Sequence, residues 1–234
     1  MIDRSANSAA AGHLTSSGTS AVLTTPPGSV VRSGPSAARK FINFTAFQGA
    51  WFACVLGAAR GWWWAAPVAA LAALAVHAAL SPSRRAELGM VFRVVLLGLA
   101  IDVGLVLAGV VEMRHGSFGM MTTAAWFASL WACFATTLNS SMAWLTNLRR
   151  RRILVAALFG ALGGPAAYMA GERLGAVTLP HASWSLAVLS AEWALLTPLV
   201  VLIAARCSPR CGRRSGSLPV TPEPVSARAT EARG

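Results

Sequence analysis

Charge is what this sequence has least of. Only 12% of its 234 residues are charged, against the roughly 25% of an average soluble domain, which excludes an ordinary water-solvated globule. Catalytic signatures are missing as well. There is no Walker loop, no Gly-rich fingerprint after a strand, no Gly-x-Ser-x-Gly elbow, no HExxH and no paired CxxC. No cofactor is therefore implied, and an enzymatic role is not favoured. Cysteine is scarce. Cys54 and Cys133 fall inside apolar runs, and Cys207-Ser-Pro-Arg-Cys211 has no second pair of ligands, so no metal site is expected. Residues 1–40 do not resemble a cleavable secretion signal, because no apolar run of seven or more follows a basic start.

What is abundant is apolar surface. Hydrophobic residues make up 55% of the chain and gather in six runs, at about 42–59, 62–80, 88–111, 123–145, 153–170 and 184–205. Each approaches the ~20 residues a helix needs to cross ~30 Å of hydrocarbon. The expectation is an all-α polytopic membrane bundle of about six transmembrane helices over residues 41–206. The Ser/Thr-rich extension 1–40 and the basic tail 207–234 are expected to be disordered, since neither can bury enough apolar surface to order itself. The first and fifth runs are short enough to be partly re-entrant. Trp62-Trp63-Trp64 reads as an interfacial anchor opening the second run.

The net charge of +12 is unevenly placed. Seventeen of the twenty Lys and Arg lie in the N-terminal segment, the second and fourth loops with their entry turns, and the tail. The alternate loops carry only Arg60, Arg114 and Arg173. By the positive-inside rule both termini are cytoplasmic. The basic groups sit beside apolar runs, so the anionic cytoplasmic leaflet of the bilayer is the expected partner, not nucleic acid.

Two runs, hinged by Arg149-Arg150-Arg151-Arg152, look like the packing centre. Ser129, Cys133, Thr136 and Ser140 share one face of the fourth run, and Ala156, Gly160, Gly164, Ala167 and Gly171 one face of the fifth. Small residues let membrane helices approach and hydroxyls bond across the contact, so these two faces are expected to meet. The fifth run breaks its pattern at Gly163-Gly164-Pro165. Pro165 and Pro198 leave the carbonyls of Ala161 and Ala194 without helical donors, and kinks are expected there.

Ionisable groups inside spans are costly and point to function. Asp102 and Glu192 lie at similar depth, ~12–14 Å below the non-cytoplasmic surface by the ~1.5 Å rise per residue. Two readings stay open: each accepts a hydrogen bond from a nearby Trp or Thr and fixes helix register, or the two face one another and share a proton. The register reading is preferred, because two acids without a basic partner make a thin site. A second tier toward the cytoplasm holds Asn43, Gln48, His77, Arg93, Asn139 and Ser140, a set suited to an anionic headgroup, with Arg93 expected to snorkel. The pair Glu172-Arg173 is expected to be solvated.

Asn43-Phe44 through Gln48 into WFACVLGAA (51–59), FATTLNSS (134–141) and GALGGPAAYMAGERLGA (160–176) occur in this order. Together they resemble a bacterial inner-membrane family known as domain of unknown function 2878. The likeness covers about 42–205; the long N-terminal extension departs from it and leaves the translation start open. The resemblance implies several helical spans and location in the bacterial inner membrane, with no assigned activity. It also implies genes for fatty-acid-modifying enzymes nearby, an associational pointer to membrane-lipid modification and not a mechanism. Three functions follow in order of preference: a non-catalytic partner of membrane-lipid (fatty-acid) modification, a small transporter or flippase for a lipid or amphiphile, and an intramembrane enzyme.

Overall fold

The computed structural model describes residues 36–116, 118–148 and 151–207. Most of the two segments expected to be disordered (1–35 and 208–234), and Arg149 and Arg150 of the basic hinge, lie outside the described residues. Seven helices follow one another: α1 (Ala37–Ala59), α2 (Ala65–Leu80), α3 (Arg84–Leu107), α4 (Met120–Leu138), a short α5 (Ala143–Asn147), α6 (Arg152–Arg173) and α7 (Ala182–Cys207). Four of them, α1, α3, α6 and α7, are long and apolar enough to cross a membrane, and α2 is a shorter apolar helix. The chain therefore forms an all-α membrane bundle. At 16 residues α2 reaches only ~24 Å, and the exposed, stacked rings of Trp62 and Trp64 precede it.

Lipid tails are as apolar as leucine, so helices in a bilayer are held by close packing and hydrogen bonds, not by the hydrophobic effect. The outward faces show this: Leu71, Leu162 and Leu195 are each about two-thirds exposed or more. The centre is α4, with eleven of its nineteen residues buried. It packs against α1, α2 and α3. A central helix meets little lipid, which is why α4 tolerates four threonines and a serine.

Local signals set the ends. Ser36 Oγ accepts from Arg39 N at 3.3 Å, so α1 starts before the expected boundary at residue 41. After α3 and α6 the backbone turns left-handed at Gly109 (φ 67) and Gly175 (φ 87), which glycine adopts without a Cβ clash. The third run therefore stops at Leu107, short of Val111. Beyond those turns β1 (Glu112–Met113) pairs antiparallel with β2 (Val177–Thr178), Glu112 opposite Thr178. Glu172 Oε1 accepts from Leu179 N at 2.9 Å, so this carboxylate braces the α6–α7 turn instead of being merely solvated.

The first and fifth runs form helices long enough to cross a membrane, α1 of 23 residues and α6 of 22, and α6 and α7 are each continuous through their proline. Two expectations are corrected. The fourth run is not one helix to Leu145. It ends at Leu138, because the Thr137 carbonyl is taken by Ser140 N and Met142 N, and Asn43 Oδ1 accepts from Ser141 Oγ at 3.0 Å. Finally, α6 does not pack its small face on α4. Its partner is α7, and the α4 hydroxyls bond back along their own helix, Ser129 to Ala125 O at 2.7 Å and Thr136 to Cys133 O at 2.7 Å. The carbonyl of Ala161, freed by Pro165, receives Ser190 Oγ of α7 at 2.9 Å. That bond explains why a mid-helix proline sits at this contact.

Candidate functional site

Two glycines and the residues one turn after them build the site. A Cβ on Gly98 of α3 would overlap the Trp131 indole, and one on Gly164 of α6 would overlap the Trp193 ring. The two indoles fill these slots and stack on each other, 5.1 Å between centroids and 10° between planes. Phe134 meets both edge-on. Four residues beyond Gly98, and so on the same helix face, Asp102 is buried. It accepts from Trp131 Nε1 at 2.5 Å and from Tyr168 Oη at 2.5 Å. Tyr168 in turn lies four residues beyond Gly164. One carboxylate thus ties together α3, α4 and α6.

Glu192 of α7 does not join the hydrogen-bond network of Asp102 and Tyr168. Among the described residues neither of its carboxylate oxygens has a hydrogen-bond partner, though both are buried. The Trp193 Nε1 and Thr197 Oγ1 atoms on the same helix are likewise unpartnered. The structure therefore gives Asp102 a donor pair and leaves Glu192 with none.

In front of Asp102, a cavity of about 510 Å³ runs between α1, α4, α6 and α7. That volume is in the range of small-molecule sites, ~300–1,000 Å³. Most of the wall is aromatic or glycine; its polar lining comes from Asp102, Tyr168, Thr197, Gln48, Thr137 and Ser141. Gly163 faces it, with no atom within 4 Å of where a Cβ would stand. Of Gly160, Gly163, Gly164 and Pro165, Gly160 and Gly164 are therefore the contacts with α7. Gly163 is open wall, and Pro165 supplies the carbonyl that Ser190 takes. On the far side, α1 packs on α2 and α4, and α6 packs on α7. The two exposed rings Phe44 of α1 and Phe159 of α6 belong to the cavity wall, so this side faces the bilayer laterally.

The tier of Gln48, His77, Arg93 and Asn139 does not converge on an anion. Gln48 lines the cavity. His77 Nε2 lies 3.5 Å from Glu87 Oε2 without a hydrogen bond. Asn139 Nδ2 donates to both Glu87 oxygens at 3.3–3.4 Å. A buried acid, Glu87, therefore sits between His77 and Asn139. Arg93 is elsewhere, on an exposed face, donating to Gly89 O and Cys207 Sγ at 3.4 Å. Asn43 donates to Thr136 O at 3.1 Å. Sequence reasoning missed Glu87 and the partnership of Trp131, Trp193 and Tyr168. The signal that would have found the latter is the repeated Gly-x-x-x-polar step, Gly98 to Asp102 and Gly164 to Tyr168. Among the described residues no group of three or more His, Cys, Asp or Glu is placed to hold a metal.

Fold and cavity define a multi-pass, all-helical integral membrane protein. Residues 40–199 match the family described as Protein of unknown function (DUF2878), and the chain belongs to that family. No curated protein and no solved structure matches it.

Proposed function

We propose that this protein works in the bacterial inner membrane as a non-catalytic partner of membrane-lipid modification, accommodating an amphiphile for an enzyme that acts on fatty acyl chains. The observation that carries this reading is the cavity with its lateral aromatic rim. A recess that faces lipid and is walled by Phe, Trp and Gly suits a hydrocarbon chain. Its described lining contains no His, Cys or Lys, and both oxygens of its carboxylate are already engaged, which favours holding over chemistry. The fatty-acid part rests on the family resemblance. Continuous α6 and α7 speak against the broken helices used by many transporters.

Deletion followed by whole-cell lipidomics tests the reading, with transport of labelled lipid followed in parallel. A changed acyl-chain profile with unchanged transport is expected. An unchanged profile would overturn the proposal, and a transport defect alone would replace it with the flippase reading.

A further inference from the structure

The cavity-facing stripes of α1 and α6 each end in a cation. On α1, Phe44, Gln48, Trp51 and Val55 line the cavity, and Lys40 stands one turn before Phe44 on the same face, exposed. On α6 the stripe runs through Gly160, Gly163 and Ala167, and Arg152 lies two turns before Phe159 and Gly160. Arg152 Nη1 donates to Thr146 O at 3.4 Å, while its Nε is buried without a partner. Both cations open their helices at the same end of the bundle. Arg39 donates to Leu80 O at the end of α2, and Asn43 bonds Ser141 just before α5. Beside Gly160 and Gly164 the wall offers two unpartnered buried atoms, Thr197 Oγ1 and Trp193 Nε1, and beyond them Tyr168 and Asp102 bond each other at the deep end. The described lining holds no cation at that depth. The gradient is therefore cationic at the rim, aromatic and apolar in the middle, and without a cation at the floor, where the one carboxylate, Asp102, is already bonded by Trp131 and Tyr168.

We infer that the cavity binds one acyl chain of a phospholipid from the arginine-rich leaflet. The chain enters between Phe44 and Phe159, and Lys40 and Arg152 hold the phosphate. This rests on the amphiphile reading above and deepens it by naming the ligand class and its polarity. Opposite charge at the rim distinguishes a phospholipid from a diacylglycerol of the same chains, and the chain is placed near Tyr168 and Thr197.

The test uses the full chain in nanodiscs of phosphatidylcholine, with a phosphatidylglycerol probe bearing a diazirine midway along one chain. Irradiation should attach the probe to cavity residues of α6 and α7, with unlabelled phosphatidylglycerol competing better than diacylglycerol. Gly163→Leu fills the cavity from a position with free space around its Cβ. It should keep the wild-type melting temperature and shift labelling to outward residues such as Leu162. The double variant Lys40→Gln/Arg152→Gln should weaken competition by phosphatidylglycerol about thirtyfold, from about a factor of five per basic group near a lipid phosphate, and leave diacylglycerol unchanged. Wild-type labelling confined to outward faces would overturn both this inference and the cavity reading. Equal competition by the two lipids, with no effect of the double variant, would overturn the phosphate assignment and leave the cavity reading standing. A lipidome unchanged on deletion with cavity labelling intact would instead sink the partnership in lipid modification.

Discussion

Asp102 is the residue on which three helices depend, and its two donors allow its contribution to be dissected. Asp102→Ala leaves Trp131 Nε1 and the Tyr168 hydroxyl facing a hole. A buried donor without a partner costs about 1–3 kcal/mol, so this variant should melt well below wild type in detergent. Tyr168→Phe removes one donor and leaves the acid its other bond, so the loss should be smaller, about 1–2 kcal/mol. If Asp102→Ala melts with the wild type, the acid does not hold the bundle together. Glu192 behaves differently, because no described group bonds either oxygen. Glu192→Gln keeps the shape and removes an ionisable group whose burial in a span is costly, so it should fold at least as well as wild type. A drop in folded yield on Glu192→Gln would mean that its carboxylate carries a contact outside the described residues.

At the scale of elements, the α6–α7 contact is the one a substitution should break most selectively. Gly160→Leu drives a side chain into Thr197 and the Trp193 backbone, and Gly164→Leu into the Trp193 ring. Overpacking of this kind costs about 1–3 kcal/mol or more. Gly163→Leu, between them in sequence, meets open cavity and should be mild. Equal melting of Gly163→Leu and Gly164→Leu would show that α7 is not packed as described. Here the sequence was partly legible. The small stripe of α6 was visible at its three- and four-residue spacing, and so was the orphaned Ala161 carbonyl. Its partner helix was not, because periodicity says which face is narrow and nothing about what lies against it. The α4 hydroxyls misled for a related reason: a serine or threonine in a helix bonds its own preceding turn as readily as a neighbour. Asp102 was found because a lone acid in an apolar run is conspicuous. Trp131 and Trp193 were hidden among the chain's nine tryptophans.

At the scale of the whole molecule, the described loops sort themselves by charge without any reference to a membrane. Arg114 N bonds Ala176 O at 3.1 Å beside the β1–β2 ladder, which brings the α3–α4 and α6–α7 connections together. The α1–α2 turn joins them, since a Cβ on Gly61 would meet the His115 ring and one on Gly175 would stand 3.7 Å from Ala59. These are the three connections with one arginine each, Arg60, Arg114 and Arg173. The opposite end holds the start of α1 against the end of α2, and Arg93 against the end of α7. Such an arrangement inserts as a unit, so the three arginine-poor connections must share one side, and the positive-inside rule assigns them to the outside. Arg60→Cys, Arg114→Cys and Arg173→Cys, made one at a time in a chain with its native cysteines replaced by serine, should all react with a membrane-impermeant maleimide added to intact cells lacking an outer-membrane barrier. Ser83→Cys and Arg151→Cys, at the other end, should react only after the inner membrane is opened. Labelling of all five from outside, or of only one or two of the first three, would contradict the bundle. Labelling of Ser83→Cys and Arg151→Cys alone would keep the bundle and reverse its orientation. It would also move the phospholipid rim of Lys40 and Arg152 to the outer leaflet.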